Sequence, residues 1–302
     1  MNKKLVIFIV ILFAAILTAA AIFLSGNKKT AQSEQPAQSA QPSSGETKDQ
    51  AEETLSNLTI SDNIAYPGDF VSFSFTGSKD AVASITINGE EQKIPTYNYN
   101  NKMIGVFVLP LDAEPTTTIR VSVSADKQNP LSAELEVGKK DFENIDIPPV
   151  NIISLAGKDK TTIDGIVKST ADVPLSAGLF AIPASGKQLV TFGQQLISGG
   201  KEAGRVQSML LQTESGEGVT AANAGKVVFA GKLPGEGNTV IIDHGVGIFT
   251  IYGLLNNISV KAGDKVSKYD QLGTAGKEPL QYAAVINGVY SDPMLLNVKA
   301  LF

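Results

Sequence analysis

The sequence predicts an all-β protein of two folded parts behind a single membrane-spanning helix, and three observations carry that prediction. Thr, Ser, Val and Ile are abundant, glycine occurs 28 times and tryptophan is absent, a composition that favours strands and tight turns. Apolar residues recur at every second position in many segments after Leu55, the period of a strand with one buried face. Leu5 to Leu24 is apolar and uncharged throughout. A chain of 302 residues has room for about two domains of ordinary size.

In chain order, residues 1–29 form the expected anchor. At about 1.5 Å per residue, a helix over 5–24 spans the roughly 30 Å of a bilayer core. Lys3 and Lys4 before the run are balanced by Lys28 and Lys29 after it, so charge alone barely decides orientation. Ala19-Ala20-Ala21 imitates the cleavage site of a signal peptide, which leaves that alternative open, although the run continues apolar through Leu24. On either reading the remainder is exported. Residues 30–54 hold Gln, Ser, Ala, Pro and acids with no large apolar side chain, and read as a disordered tether.

Residues 55–140 read as a small β-sandwich. Val71, Phe73 and Phe75 face inward, with Ser72 and Ser74 outward, and Ile119, Val121 and Val123 alternate likewise with Arg120, Ser122 and Ser124. Pro67-Gly68-Asp69 and Asn88-Gly89 supply turns between such runs. Short strands punctuated in this way predict an immunoglobulin-like sandwich. It has no constellation of titratable groups, which favours a spacer or adhesion module. Residues 141–177 form a connector: Pro148-Pro149 interrupts regular structure, and Leu155 to Ala171 has a weak helical pattern through Ile163, Ile166 and Val167. From 178 to 302 the chain is β-rich again, with strands expected at Lys226–Ala230, Asn238–Asp243, Ile248–Tyr252 and Ile258–Lys261.

In this last part the sequence resembles a known family. PLSAGLFAIPASGKQLVTFG (174–193), GVTAANAGKVVFAG (218–231), GEGNTVIIDHGVGIFTIYGLL (235–255), VKAGDKV (260–266) and INGVYSDPMLL (286–296) are similar, in order, to the lysostaphin/LytM-type zinc endopeptidase domain. The resemblance implies the fold of that domain. In active relatives it implies hydrolysis of peptidoglycan cross-bridges by a zinc-bound water whose pKa is lowered to about 7. It further implies a His-x-x-x-Asp pair, a Gly-His-Leu segment and a Pro-His-x-His segment.

Carried over position by position, those motifs fall on residues that ligate no metal. The first pair falls on Val206 and Leu210, the catalytic histidine on Leu254, and the last pair on Leu280 and Tyr282. The family site needs four histidines. The chain has one, His244, and no cysteine. His244 reads either as a lone ligand or base or as a hairpin residue hydrogen-bonded locally. The expectation is therefore a pseudo-enzyme with no catalytic residues, no metal and no cofactor. Val206 and Leu210 are expected to fill core. Around Tyr252, Leu254 and Tyr282 either core or an accessible binding groove is expected.

A net charge of −5 and a pI near 5.1 argue against nucleic acid as a partner. The implied role is that of a catalytically inactive scaffold or regulator of peptidoglycan remodelling or envelope assembly. The expected location is the bacterial cell membrane, single-pass, with the folded parts on the extracytoplasmic side. The expected partner is an envelope protein (a hydrolase or an assembly component), peptidoglycan, or both. The alternatives are a non-catalytic peptidoglycan-binding module and, against the ligand count, an active zinc endopeptidase.

Overall fold

A computed structural model of the chain describes residues 54–146 and 160–302. The expected anchor, nearly all of the tether and Pro148-Pro149 lie outside the described residues. Among the described residues no helix is long and apolar enough to cross a membrane. The protein is predominantly β, with two short helices in the described part.

The first folded region consists of two sheets over one core. One has the order β1 (Ser56–Ile60), β3 (Phe70–Thr76), β7 (Lys102–Val108), β6 (Thr96–Tyr99). The other runs β2 (Ile64–Ala65), β9 (Leu131–Val137), β8 (Thr118–Ser124), β4 (Val82–Ile87), β5 (Glu90–Ile94). Val71, Phe73, Phe75, Ile119, Val121 and Val123 meet in the space between them. The β4–β5 turn is Asn88-Gly89, with φ of +52° and +85°; positive φ at both central residues is the geometry that matches strand twist in a two-residue hairpin. Ser72 departs from the expected alternation. It is buried, as is Phe70, because that face of β3 is covered by the C-terminal region.

That cover is continuous core. Phe70, Val106 and Val108 belong to the same apolar cluster as Tyr252, Tyr282 and Leu296. Polar contacts fasten the seam: Asn287 Nδ2 donates to Val106 O at 2.8 Å and Ser291 Oγ to Gly68 O at 3.0 Å. Lys299 Nζ donates to Phe70 O at 2.9 Å and pairs with Asp62.

A three-stranded sheet follows, in the order β10 (Asn144–Asp146), β12 (Gln195–Ser198), β13 (Lys201–Arg205). Helix α1 (Lys160–Ile166) lies inside the stretch expected to be helical. The large C-terminal sheet has the path β11 (Lys187–Val190), β14 (Met209–Gln212), β21 (Leu280–Ile286), β18 (Ile248–Ile258), β17 (Gly237–Asp243), β16 (Gly225–Leu233), β19 (Lys265–Val266). Off this path, β15 (Gly218–Thr220) pairs with β20 (Gln271–Ala275), β20 also with β18, and β22 (Val289–Ser291) with β21. Helix α2 (Leu295–Val298) is the last regular element. The separate strand expected at Ile258–Lys261 does not form: β18 runs on to Ile258, and Lys261 opens the turn before β19, its N–H donating to Asp264 Oδ2.

The large sheet is buried on both faces, so its central strands are apolar runs with little alternation. Val240, Ile242, Tyr252, Leu280 and Tyr282 point into the main core. Ile241, Phe249, Ile251, Ala283 and Val285 point the other way and pack with Ile163 and Val167 at α1. The helix pattern in the sequence therefore marks a lid over the second face of the sheet.

Candidate functional site

Adjacent strands bring the resemblance-assigned positions into register, and the register divides them between two faces. Met209 pairs with Tyr282 and Tyr282 with Tyr252; Leu211 pairs with Leu280. Those side chains share the main core. One residue on, Leu210 pairs with Gln281 and Gln281 with Gly253, and alternation places this row on the opposite face. Val206 and the half-buried Leu210 join Val190, Leu196 and Ile145 in a small apolar cluster, to which the three-stranded sheet contributes Leu196 and Ile145.

Tyr252 and Tyr282 are fully buried, their rings 5.4 Å apart between centroids. Of the two alternatives, core or accessible groove, the two tyrosines take the first: strand parity turns both into the core. Among the described residues no group bonds Tyr282 Oη, and burial raises its pKa well above the ordinary tyrosine value, with the neighbouring Tyr252 adding to the shift. A buried hydroxyl without a partner contributes nothing beyond its ring. Tyr282→Phe is accordingly expected to leave stability unchanged or raise it by up to about 1 kcal/mol, read as an unchanged or higher urea midpoint.

Leu254 sits on a β-bulge. Asn238 pairs with Leu255 and Val240 with Tyr252, so Thr239 alone faces both Gly253 and Leu254. Leu254 takes φ of +60°, a left-handed conformation that costs a residue with a Cβ about 1–2 kcal/mol. Its N–H donates to Glu236 O at 2.7 Å. A Cβ on Gly253 would lie 2.6 Å from Gln281 Oε1, so the missing side chain gives Gln281 its space. Gln281 Nε2 approaches Ser208 Oγ at 3.4 Å, and Ser208, Gln281 and Glu236 are all buried. Motif matching alone missed this polar group. Its signal is parity, since Gln281 is the polar residue between Leu280 and Tyr282.

His244 lies apart from both rows, inside the molecule. Nδ1 is 2.7 Å from Ala224 O and Nε2 is 2.7 Å from Thr250 Oγ1. A carbonyl only accepts, which assigns the proton to Nδ1 and makes Nε2 the acceptor of the Thr250 hydroxyl. Thr250 Oγ1 and Tyr252 Oη are 2.9 Å apart. The Thr250 hydroxyl is placed to donate to Tyr252 Oη as well, so it serves His244 and Tyr252 in turn, and the phenol oxygen also accepts from Ala222 N–H at 2.8 Å. Burial pushes the His244 pKa down to about 4 against a smaller opposing effect of the Ala224 carbonyl, and raises Tyr252 to about 12. Both are neutral near pH 7. The chain of hydrogen bonds ties residues 222–224 to the β17–β18 hairpin and leaves no imidazole lone pair for a metal.

The zinc centre that the resemblance implies does not fit these side chains. The row facing away from the core offers Leu210, Gln281 and Gly253, with one nearby carboxylate, Glu236, and zinc sites draw on His, Cys and carboxylate donors together. Among the described residues no group of three or more His, Cys, Asp or Glu side chains is placed to hold a metal ion.

Comparison with known proteins adds the following. Residues 205–293 match the family model described as Peptidase family M23. A protein of Haemophilus influenzae described as uncharacterized is 33% identical over 111 residues, covering 37% of this chain and 26% of its own length. Stage II sporulation protein Q of Bacillus subtilis is 41% identical over 59 residues, covering 20% of this chain and 21% of its own. The matches thus span about a quarter or less of those curated relatives. A crystal structure of a putative peptidase M23 from Pseudomonas aeruginosa superposes with a TM-score of 0.54 at 19% identity, over 78% of this chain and 96% of that one. This likeness is one of fold.

Proposed function

We propose that this chain, which carries a domain of peptidase family M23 at residues 205–293, is a catalytically inactive envelope protein that acts as a scaffold or regulator. One observation carries the reading. The whole sequence has a single histidine and no cysteine, and both nitrogens of that histidine are taken by Ala224 and Thr250. A zinc-bound nucleophile needs a ligand set that these residues do not supply. The apolar run 5–24 would hold the protein in the membrane as a single pass, with the sandwich serving as a spacer on the extracytoplasmic side. A role in envelope assembly with a protein partner belongs to the same reading; over 59 residues the chain is similar to a protein named for a stage of sporulation.

Metal analysis of the purified chain by plasma emission, alongside release of soluble fragments from cell-wall sacculi, tests the loss of catalysis. Substoichiometric zinc and no chelator-sensitive release are expected. One zinc per chain with chelator-sensitive release would end the reading.

A further inference from the structure

The two sheets of the sandwich end side by side. Strand β5 closes one sheet and β6 the other, each paired on one side only among the described residues, and Pro95 joins them. Here the sandwich is open, and α1 with the Asn287-Gly288 turn forms the opposite wall of a cleft of about 500 Å³. That volume suits a small ligand or a few residues of a peptide. Ile94, Phe107, Val108, Val167 and Ile286 line its interior, side chains drawn from three separate apolar clusters.

The rim is charged. Lys93 and Lys168 line the cleft, are exposed and make no ion pair among the described residues, whereas Lys140 and Lys299 are paired at the seam between the two regions. Asp164 on α1 adds one negative charge to the same lining, so two exposed lysines stand against one carboxylate there. Tyr97 also lines the cleft. Burial, then Asp172 and Asp243, raise its pKa, so its hydroxyl stays a donor. An apolar interior, two exposed lysines and two strand edges with outward backbone groups are what an extended peptide engages together. An acyl carboxylate would meet the first two and leave the edges unmatched.

We propose that this cleft binds an extended peptide segment of a partner protein, with an apolar side chain inside and an acidic side chain or terminal carboxylate against Lys93 and Lys168. The inference does not rest on the loss of catalysis, because no residue of the Leu210, Gln281, Gly253 row lines the cleft.

The test is fluorescence anisotropy of the purified full chain with a positional-scanning library of octapeptides bearing free carboxyl termini, and with laurate as a separate competitor. Selection for an apolar residue close to an Asp, a Glu or the terminal carboxylate is expected. Lys93→Glu combined with Lys168→Glu, both exposed, should weaken the selected peptides about tenfold or more. Val289→Trp, which narrows the wall, should do the same at an unchanged melting temperature. Absence of selection, equal binding by the charge-reversed chain, or binding of laurate alone overturns the proposal.

Discussion

Asp243→Ala is expected to destabilise the folded chain by about 4 kcal/mol, through the loss of a buried, hydrogen-bonded carboxylate. Asp243 is almost fully buried at the end of β17. Its Oδ1 accepts from Thr170 Oγ1 at 2.7 Å and from Gly245 N–H at 2.8 Å, and its Oδ2 accepts from Ala171 N–H at 3.0 Å. The same strap is held by Val246 N–H to Ala171 O and Leu175 N–H to His244 O, each 2.7 Å. Gly245 passes so close that a Cβ there would lie 2.1 Å from Val173 O. Alanine at 243 leaves two backbone donors and a hydroxyl without an acceptor in a space too tight for easy rearrangement. Donors stranded by loss of a charged partner each cost about 1–3 kcal/mol, though not additively. Asp243→Asn retains one acceptor oxygen but turns an amide N–H towards Ala171 N–H, and should cost roughly half as much. Thermal denaturation followed by circular dichroism reads the series. A fall in melting temperature on the order of 10 °C for Asp243→Ala matches this energy for a folded region of this size. A fall within error of wild type would show that the strap from Thr170 to Leu175 is not fastened by this carboxylate.

The sequence makes some features of the molecule plain and conceals others for definable reasons. Ile119, Val121 and Val123 alternate visibly with exposed or half-buried partners because one face of β8 meets water. Leu280 to Ile286 is buried at all seven positions, since the main core covers one face and α1 with the three-stranded sheet covers the other. Hydrophobicity carries no parity there, and only the strand register shows that Leu280 and Tyr282 lie on one face while Gln281 lies beside Leu210 on the other. The association of Val206 with Leu210 depends on a three-stranded sheet assembled from residues 144–146 and 195–205, a non-local pairing that periodicity does not announce. The left-handed backbone of Leu254 arises from a two-against-one register with β17, which residue type gives no reason to expect. The histidine count requires no coordinates at all, and for that reason the argument over zinc does not depend on which face each strand position takes.

His244 should make the fold sensitive to acid in a defined window. Its pKa lies near 4 in the folded chain and near 6.5 in an unfolded one. The unfolded state therefore binds the additional proton between these values, and stability falls as the pH falls. The contribution is fully present above about pH 6.5 and lost by about pH 4, a total on the order of 3 kcal/mol. Protonation would require Nε2 to become a donor towards Thr250, turning that hydroxyl away from His244 and towards Tyr252 Oη. Asp292 acts in the opposite sense: burial raises its pKa, so the folded state holds that proton more tightly and gains stability as the carboxyl protonates. Comparison with His244→Gln separates the two, because Asp292 is common to both chains. Urea unfolding at intervals from pH 7 to pH 4 should show the variant less stable than wild type at pH 7 and the two curves converging towards pH 4. Parallel curves across that range would mean that the imidazole takes up its proton over the same pH range in the folded and unfolded chains, which would remove His244 from the neutral network linking Ala224, Thr250 and Tyr252.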